Sequence, residues 1–397
     1  MVGTFQSYLF VKNNVIVFNS VFSCHISFIN PVISPNKIGP YLLKEAIGSG
    51  SFSSVRVAIH IQTKTEYACK IIPKKRLENM VDKSRFEQEI RIHQRIHHPN
   101  IVQLIDVFKD SLNYYIILEL CTQGELFSSI LCHRKLREDE ASQYFNQVLL
   151  AVAYIHNLGI AHRDLKPENI LISDNRLIKL CDFGLSKLFE RNERTTSTSC
   201  GSPCYASPEV ISGGSYDAFL SDIWSLGVIL YSMVTGQLPW TKRNRLQLFH
   251  QIQKGKYVIP AYVSPLCSSL ITSLIKVNPS KRITLQAALK HPFITMNIQN
   301  ESIDWKDCRY LSLRKMDQFF EREYSLGSVF SIHEYIKNSN DCIKIPKMRI
   351  RKRFVSQVFE DSPESNDYKF KIDRIDPILV QSRKQRRIPK IFKPNKL

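Results

Sequence analysis

The feature that most constrains this chain is the eight-residue stretch His-Arg-Asp-Leu-Lys-Pro-Glu-Asn at 162–169, which Asp-Phe-Gly follows at 182–184. The first stretch brings together a carboxylate (Asp164), an ammonium group (Lys166) and a side-chain amide (Asn169), and the second adds another carboxylate beside a glycine. Moving a phosphoryl group between two oxygen atoms requires the protein to position and neutralise charge more than to form bonds. The two stretches therefore predict a phosphoryl-transfer site.

Each polar group has a role in such a site. Asp164 is placed to accept the proton of an attacking hydroxyl, and Lys166 would lie near the migrating phosphate and offset its charge. Asn169 and Asp182 supply hard oxygen ligands of the kind that Mg²⁺ prefers. These motifs resemble those of the eukaryotic protein kinase family, and the resemblance covers residues 41–293.

The resemblance implies an α+β, bilobal protein kinase fold, with a small β-rich N-lobe containing one helix and a larger, mostly helical C-lobe. It also implies ATP and Mg²⁺ as cofactors and protein substrates as acceptors, and the lysine two residues after Asp164 is typical of the serine/threonine branch. Three further motifs resemble the calcium/calmodulin-dependent and AMP-activated group. They are Thr-Ser-Cys-Gly-Ser-Pro at 198–203, Gly-Gln-Leu-Pro-Trp at 236–240 and His-Pro-Phe at 291–293.

Residues 41–58 alternate in the manner of strands on either side of Gly48 and Gly50. Because these positions lack a Cβ atom, the backbone could approach phosphates and cradle them with its N–H groups. A tight hairpin would produce the same pair of glycines. The third glycine of the family pattern is replaced by Ser53, which we expect to stiffen the loop without blocking a nucleotide.

Lys70 stands alone within the apolar strand pattern of residues 67–72. A buried ammonium group needs a partner, and the matching one is Glu89, on an amphipathic stretch from about Asp82 to Ile96. In the family this lysine holds the α- and β-phosphates and pairs with that glutamate. The alternative is a solvated Lys-Glu pair at the surface.

The resemblance assigns the other nucleotide contacts to a cleft between the lobes, where residues 114–121 indicate a strand and a hinge. The implied ATP-binding set is Ile47, Gly48, Ser49, Gly50, Ser51, Phe52, Ser53, Val55, Ala68, Lys70, Glu119, Cys121, Glu125 and Leu171. Glu125 also matches a residue that contacts a substrate arginine in many basophilic kinases. Paired with Glu168, it suggests arginine a few residues before the acceptor, because paired carboxylates favour a guanidinium group.

His93, one turn after Glu89, occupies a position that is usually apolar or small in the family's hydrophobic column. A tolerated variant is one interpretation. The other is that protonation of His93 loosens the helix, because the reference pKa of histidine lies near 6.5.

The hydroxyl-rich segment 195–203 follows the Asp-Phe-Gly motif. We predict Thr198 as the activating phosphosite, because a phosphate there could pair with Arg163 and order the loop. The alternative is that these hydroxyls belong only to a flexible loop. Ser202 aligns with the family hydroxyl that bridges Asp164 and Lys166, and Asp222 is placed to brace the backbone of the catalytic loop.

A helix and an ion pair are predicted to support the C-lobe. Helical periodicity from Glu138 to Leu158, ended by Gly159, predicts a scaffold helix for the catalytic loop. Glu209 is expected to pair with Arg282 and fix the lower lobe.

The ends of the chain are less informative. The formal charge of +19 suggests nucleic acid, an anionic membrane or acidic partners, but the basic tail contributes much of it. Ten cysteines without C-x-x-C spacing indicate reduced thiols and a cytoplasmic or nuclear protein. Residues 1–37 form an apolar extension, and its stretch 15–33 is interrupted by too many polar residues for us to expect membrane attachment.

Residues 294–397 form a basic tail that we expect to be largely disordered. Within it, Met316 to Lys337 predicts an amphipathic helix, while the basic clusters 347–353 and 383–387 could address the nucleus, acidic lipid or RNA. We expect a monomer that acts on protein substrates and is activated by an upstream kinase. The alternatives are a pseudokinase scaffold and a protein recruited to nucleic acid or membrane by its tail.

Overall fold

The structure is a computed structural model that describes residues 34–49, 53–190, 193–242 and 244–296, together with short segments at 11–12, 15–16, 309–311, 313–321, 330–332 and 342–344. Gly50, Ser51 and Phe52 of the predicted ATP-binding set lie outside the described residues. So do the two basic clusters of the tail and most of the stretch 15–33.

The first part of the described chain is rich in strands, and the second part is rich in helices. The strands are β1 (Val11–Lys12), β2 (Val15–Ile16), β3 (Lys37–Ile38), β4 (Tyr41–Ser49), β5 (Ser54–His60), β6 (Glu66–Pro73), β7 (Leu104–Lys109), β8 (Asn113–Glu119), β9 (Ile160–Ala161), β10 (Ile170–Ile172), β11 (Ile178–Leu180), β12 (Lys187–Leu188), β13 (Thr195–Thr196), β14 (Tyr216–Asp217), β15 (Arg309–Leu311), β16 (Phe330–Ser331) and β17 (Cys342–Lys344). The helices are α1 (Met80–His93), α2 (Leu126–His133), α3 (Glu138–Asn157), α4 (Pro208–Ser212), α5 (Ala218–Thr235), α6 (Arg245–Lys254), α7 (Pro265–Leu274), α8 (Leu285–Leu289), α9 (Pro292–Thr295) and α10 (Leu313–Glu321). Short 3-10 turns lie at Lys74–Leu77, Pro167–Asn169, Asp174–Arg176 and Pro279–Lys281.

The N-lobe is built on an antiparallel sheet with the strand order β16-β7-β8-β6-β5-β4-β3 among the described residues. Its register sets Gly48 opposite Val55, Val55 opposite Lys70, and Lys70 opposite Ile116. Because directly paired residues share a face of the sheet, the glycine loop and the lysine are brought to one surface. The sheet thus presents the predicted nucleotide contacts together.

Helix α1 packs against one face of this sheet. The side chain of Asn79 caps it by accepting a hydrogen bond from the N–H of Val81 at 2.9 Å. Phe86 and Ile90, one turn apart, face the sheet and are buried. Neighbouring residues on an α-helix point in different directions, so Glu89, next to Ile90, lies on the side that faces the cleft.

The C-lobe is organised around two long helices, α3 and α5. The buried face of α3 includes Phe145, Leu149 and Val152, none of which has exposed surface. Helix α5 is long and apolar enough to cross a membrane, yet 94% of it is buried inside the fold, which makes it a core helix. Fully burying one such apolar side chain contributes about 1.5–3 kcal/mol, so these two helices form a stable base for the catalytic loop.

The predicted α+β, bilobal fold is therefore confirmed. The helix expected from Glu138 to Leu158 is α3, which ends one residue earlier, and Gly159 follows it with a positive φ of 74°. Of the amphipathic helix expected from Met316 to Lys337, the first part lies in α10, which begins earlier at Leu313, whereas Phe330–Ser331 form a strand instead. Residues 322–329 and 333–337 lie outside the described residues. The seven cysteines whose side chains the structure describes are all free thiols.

Candidate active site

The catalytic loop is held by a carboxylate from the core helix α5. Asp222, 1% exposed, accepts hydrogen bonds from the backbone N–H groups of His162 and Arg163, both at 2.9 Å. The ring Nε2 of His156, at the end of α3, lies 2.9 Å from the same carboxylate. Arg163 has a φ of 65°, a conformation that a non-glycine residue adopts at some cost, so the loop needs this buried anchor.

The carboxylate of Asp164 is fixed by donors on both oxygens. Oδ2 accepts from Lys166 Nζ at 2.7 Å and from Asn169 Nδ2 at 3.1 Å. Oδ1 accepts from the N–H and from the hydroxyl of Ser202, both at 2.9 Å. The Lys166 ammonium also donates to Ser202 Oγ at 2.9 Å, so these four side chains form one network.

Gly201 allows the activation segment to come this close. It has a φ of 94°, and a Cβ atom at this position would lie 2.5 Å from the carbonyl oxygen of Arg163. Any other residue would push Ser202 away from Asp164.

Lys70 and Glu89 form an ion pair across the cleft, with Nζ and Oε1 3.1 Å apart. Burial alone would lower the pKa of Lys70, but Glu89 and then Asp182 outweigh it and raise this pKa above its ordinary value. The Lys70 ammonium therefore stays charged. The Lys70–Glu89 pair lies inside the cleft, which argues against the alternative of a solvated surface pair.

Asp182 and Asn169 offer the oxygen ligands of a metal site. Desolvation works to raise the pKa of Asp182, but the Lys70 ammonium and the N–H of Gly184 hold it below its usual range. A Cβ atom at Gly184 would lie 3.2 Å from Asp182 Oδ1 and 3.4 Å from Glu89 Oε2, so the glycine leaves space beside these carboxylates. One ionised carboxylate and one amide fit Mg²⁺, which takes few protein ligands and fills the rest with water and phosphate oxygens.

Among the described residues, no group of three histidine, cysteine or acidic side chains could hold a metal alone. A divalent ion here would depend on the phosphates of a nucleotide for its remaining ligands.

Phe183 joins the two lobes through ring contacts with histidines. Its ring centroid lies 5.1 Å from that of His93 and 5.2 Å from that of His162, and its side chain is 1% exposed. His93 is buried, and its Nε2 lies 2.7 Å from the carbonyl oxygen of Val102. Burial lowers the pKa of His93 to about 4, so its ring is neutral at neutral pH and packs as part of the column. This favours the tolerated-variant interpretation over protonation near pH 6.5.

The side chains that the kinase resemblance implies as apolar walls of the nucleotide pocket are half-buried. They are Ile47, Val55 and Ala68 from the sheet of the N-lobe, Leu171 from β10, and Cys181, which directly follows β11. Ser53 of the predicted ATP-binding set is also half-buried and precedes β5. Gly48 is buried, and Ser49 pairs through its backbone with Ser54.

The hinge is anchored by the side chain of Glu119. Its Oε1 lies 2.6 Å from Lys179 Nζ, and its backbone N–H donates to the carbonyl of Gln103 at 2.9 Å. The N–H of Glu119 is therefore already used and is not available to the adenine ring of a nucleotide. Cys121 follows it at the start of the linker and is half-buried.

Glu125 lies at the rim of the cleft, where it forms a β-bridge with Leu171. Burial, followed by the charge of Glu168, raises the pKa of Glu125 to about 7. Burial likewise raises the pKa of Glu168, whose Oε2 is buried without a hydrogen-bond partner among the described residues. Two crowded carboxylates at one edge of the cleft are a ready site for a cation.

Thr198 is exposed, and its carbonyl oxygen accepts a hydrogen bond from the hydroxyl of Tyr216 at 2.9 Å. Tyr216 and Arg163 line the same small cavity beside Asp164. Within the described part of the chain, Nη1 of Arg163 is buried and has no hydrogen-bond partner, while its Nε donates to the carbonyl of Leu185 at 2.7 Å. An anionic group near Thr198 would supply the hydrogen-bond acceptor that Arg163 Nη1 lacks.

The structure thus joins Asp164, Lys166, Asn169 and Ser202 in one hydrogen-bond network and sets Lys70 beside Glu89 and Asp182. The contacts of the ATP-binding set with a nucleotide stay predictions. Sequence reasoning missed His156, whose place in the last turn of α3 carries no sequence signal for its bond to Asp222. It also missed the contact between α10 and α1, where Asp317 pairs with Arg91 and Phe320 meets Phe86, because an amphipathic pattern does not reveal which surface will cover it.

Comparison with known proteins agrees with this geometry. The family model described as the protein kinase domain matches residues 41–294. The chain is 40% identical over 263 residues to a "Probable serine/threonine-protein kinase MARK-A" of Dictyostelium discoideum, which covers 66% of this chain and 25% of that protein. It is 39% identical over 266 residues to the "SNF1-like protein kinase ssp2" of Schizosaccharomyces pombe, which covers 67% of this chain and 46% of that protein.

The chain therefore spans less than half the length of either of these relatives. The family match extends over more than half of the chain itself, from its first long strand to the end of the C-lobe. The expected resemblance is confirmed, and the chain belongs to the protein kinase family.

Proposed function

We propose that this chain is a serine/threonine protein kinase that transfers the terminal phosphoryl group of ATP to protein hydroxyls. The observation that carries the proposal is the Lys70–Glu89 ion pair, which lies beside Asp182 in the same cleft as the Asp164 network. A degenerate scaffold of this fold would be expected to lack at least one of these groups.

The residues of the proposed site would have separate roles in the transfer. Bound Mg²⁺-ATP would supply the phosphoryl group and part of the charge neutralisation, with Asn169 and Asp182 as the metal ligands and Lys70 on the phosphates. Asp164, held by Lys166 and Ser202, would accept the proton of the substrate hydroxyl as its oxygen attacks phosphorus.

Lys166 serves two roles at this point. Its ammonium orients the base through the 2.7 Å bond to Asp164 Oδ2, and it would offset negative charge on the migrating group. Ser202 connects both to the activation segment, so the position of that segment affects the base directly.

The test is to incubate the purified chain with labelled ATP, Mg²⁺ and a panel of basic and acidic peptides. We expect label on serine or threonine, and none when Mg²⁺ is chelated. Nucleotide binding without label in any peptide or in the chain itself would instead support a pseudokinase scaffold.

We further propose activation by phosphorylation at Thr198, whose carbonyl accepts a hydrogen bond from Tyr216, a residue that lines one cavity with Arg163. Among the described residues, the buried Nη1 of Arg163 has no hydrogen-bond partner, which further supports the proposal. Thr198→Ala should lower kcat by about ten- to hundredfold, because each charge-assisted hydrogen bond contributes about 1.5–3 kcal/mol. Phosphatase treatment should reduce the wild type to the level of the variant and leave the variant unchanged.

Thr195→Ala is the matched control, because Thr195 is also an exposed threonine of this segment but its strand pairs with β14. It should keep full activity and full sensitivity to phosphatase. If Thr198→Ala were as active as the control, the phosphosite would lie elsewhere or the loop would need none.

We also propose that Glu125 and Glu168 receive a substrate arginine. Since burial raises the pKa of Glu125 to about 7, its charge appears only as the pH rises through that value. The ratio of kcat/KM for an arginine-containing peptide to that for its alanine analogue should therefore increase between about pH 6 and 8, by about tenfold when one charged hydrogen bond is gained.

Glu168→Gln provides the sharper comparison. Removing the Glu168 charge should move the midpoint of this pH dependence to a lower pH, because the pKa of Glu125 would fall, and it should also reduce the ratio at high pH. A ratio that stays flat over the range in the wild type would rule out this subsite, while leaving the kinase activity itself intact.

A further inference from the structure

A segment that follows the family match packs on the N-lobe. We call it the C-terminal brace, and it consists of α10 (Leu313–Glu321) and of Phe330–Ile332, which includes β16. Strand β16 extends the N-lobe sheet by pairing antiparallel with β7, Phe330 opposite Lys109 and Ser331 opposite Phe108. The brace is thus built into the lobe by its backbone as well as by its side chains.

The brace completes an apolar core that the N-lobe alone leaves open. Its buried side chains are Met316 and Phe319, each 0% exposed, Phe320 at 6% and Ile332 at 3%. They form one cluster with Phe86 and Ile90 of α1 and with residues of β6, β7 and β8. The Phe320 ring meets that of Phe86 edge-on, with centroids 6.1 Å apart.

Polar groups fix the position of the brace. Lys109, 2% exposed, donates to the carbonyl oxygens of Phe319 and Phe320, the second at 3.3 Å. These carbonyls belong to the last turn of α10, where a cation offsets the negative end of the helix. Ser331 Oγ donates to the buried carboxylate of Asp106 at 2.6 Å.

The same brace contacts the outer side of α1 through charge. Arg91 pairs with Asp317 at 2.7 Å, and its guanidinium lies 5.1 Å from the centroid of the Phe320 ring. Arg91 also pairs with Glu87 at 3.2 Å on its own helix. Helix α1 therefore lies between the brace on one side and the cleft on the other.

Glu89, the partner of Lys70, lies on that helix between Phe86 and Ile90. Because α1 is a rigid rod of four turns, a shift of its outer side moves Glu89 by a similar distance. With the brace in place, Glu89 Oε1 is 3.1 Å from Lys70 and Phe183 is packed in its column, so the braced state is the one with the cleft assembled.

We propose that the C-terminal brace is a positioning element, which holds α1 so that Glu89 reaches Lys70. The catalytic output of this chain would then depend on residues beyond the family domain, and Phe320 is the positioning residue at its centre. The proposal rests on the proposed kinase activity but predicts an effect on α1 that can be measured without nucleotide.

The test is Phe320→Ala in the full chain. If loss of the ring lowers the fraction of molecules with α1 in place to about one tenth, kcat/KM for ATP should fall about tenfold. Amide hydrogens of residues 80–93 should exchange faster in the absence of ATP, whereas KM for the peptide should not change. Phe320→Leu, which keeps most of the apolar contact, should restore both properties.

Phe293→Ala controls for a general loss of stability, because Phe293 is a buried phenylalanine at the far end of the C-lobe. It should lower Tm without changing exchange in 80–93 or KM for ATP. A second test combines Phe320→Ala with Glu89→Gln, and the two losses of activity should be less than additive if the brace acts through Glu89.

Unchanged exchange in 80–93 for a folded Phe320→Ala would overturn the proposal, as would fully additive losses in the double variant. If the wild type showed no kinase activity, the exchange experiment would still decide whether the brace holds α1. Failure of the brace and failure of the proposed function are thus distinguished.

Discussion

Asp164→Ala should lower kcat by at least about 10²- to 10⁴-fold, the range that a positioned general acid or base contributes. The wild-type carboxylate accepts hydrogen bonds from Lys166, Asn169 and Ser202, which hold it in one orientation. Alanine removes the proton acceptor and leaves these three hydrogen-bond donors without their acceptor. The measurement is single-turnover phosphorylation of a basic peptide.

Binding of Mg²⁺-ATP, measured by the increase in Tm, should survive this change, because Lys70, Asn169 and Asp182 remain. Asp139→Ala is the matched control, since Asp139 is an exposed carboxylate in the first turn of α3. Its turnover should equal that of the wild type. Substantial turnover by Asp164→Ala would mean that another group accepts the proton and that the assignment of the base is wrong.

Glu209→Ala should cost about 3–5 kcal/mol of the free energy of unfolding, because it leaves a buried charge without its partner. The Arg282 side chain has no exposed surface, and its two terminal nitrogens donate to the two carboxylate oxygens of Glu209 at 2.6 and 2.7 Å. Arg282 also donates to the carbonyls of Leu220 and Lys276, which tie α5 to the end of α7. Urea unfolding followed by tryptophan fluorescence would measure the loss.

Glu190→Ala is the control for this change, as Glu190 is exposed and should be replaced with little effect. Replacing both partners, Glu209→Leu with Arg282→Met, should recover part of the loss, because no charge is then left in the interior. An equal cost for Glu209→Ala and Glu190→Ala would contradict the view that this pair supports the lobe.

The parts of the active site that could be predicted from the sequence are those whose residues are close in the chain or whose type is rare in its surroundings. Asp164, Lys166 and Asn169 lie within one loop, and Lys70 is conspicuous as a cation within an apolar strand. The bilobal fold followed from these motifs and was confirmed. The residue assignments within the ATP-binding set stay predictions, and three of them fall outside the described residues.

Long-range partners were harder to predict. Lys109 bonds to a carbonyl 210 residues away, and nothing in the apolar strand around it marks that partner. The pattern of Met316, Phe319 and Phe320 indicated an amphipathic helix, but the surface that receives its apolar face is set by the tertiary fold. Glu125 shows the same limit for electrostatics, because its pKa is raised first by burial and then by the charge of Glu168, and both depend on the tertiary fold.

The antiparallel pairing of β16 with β7 has a consequence for how this chain behaves when shortened. An uncovered outer strand presents a row of N–H and C=O groups that can recruit another copy in the same way, which is a recognised route to self-association. A fragment that stops at the end of the family match would expose the β7 edge next to the apolar surface around Phe86 and Ile90. In the structure, β16 of the segment after the C-lobe covers part of this edge.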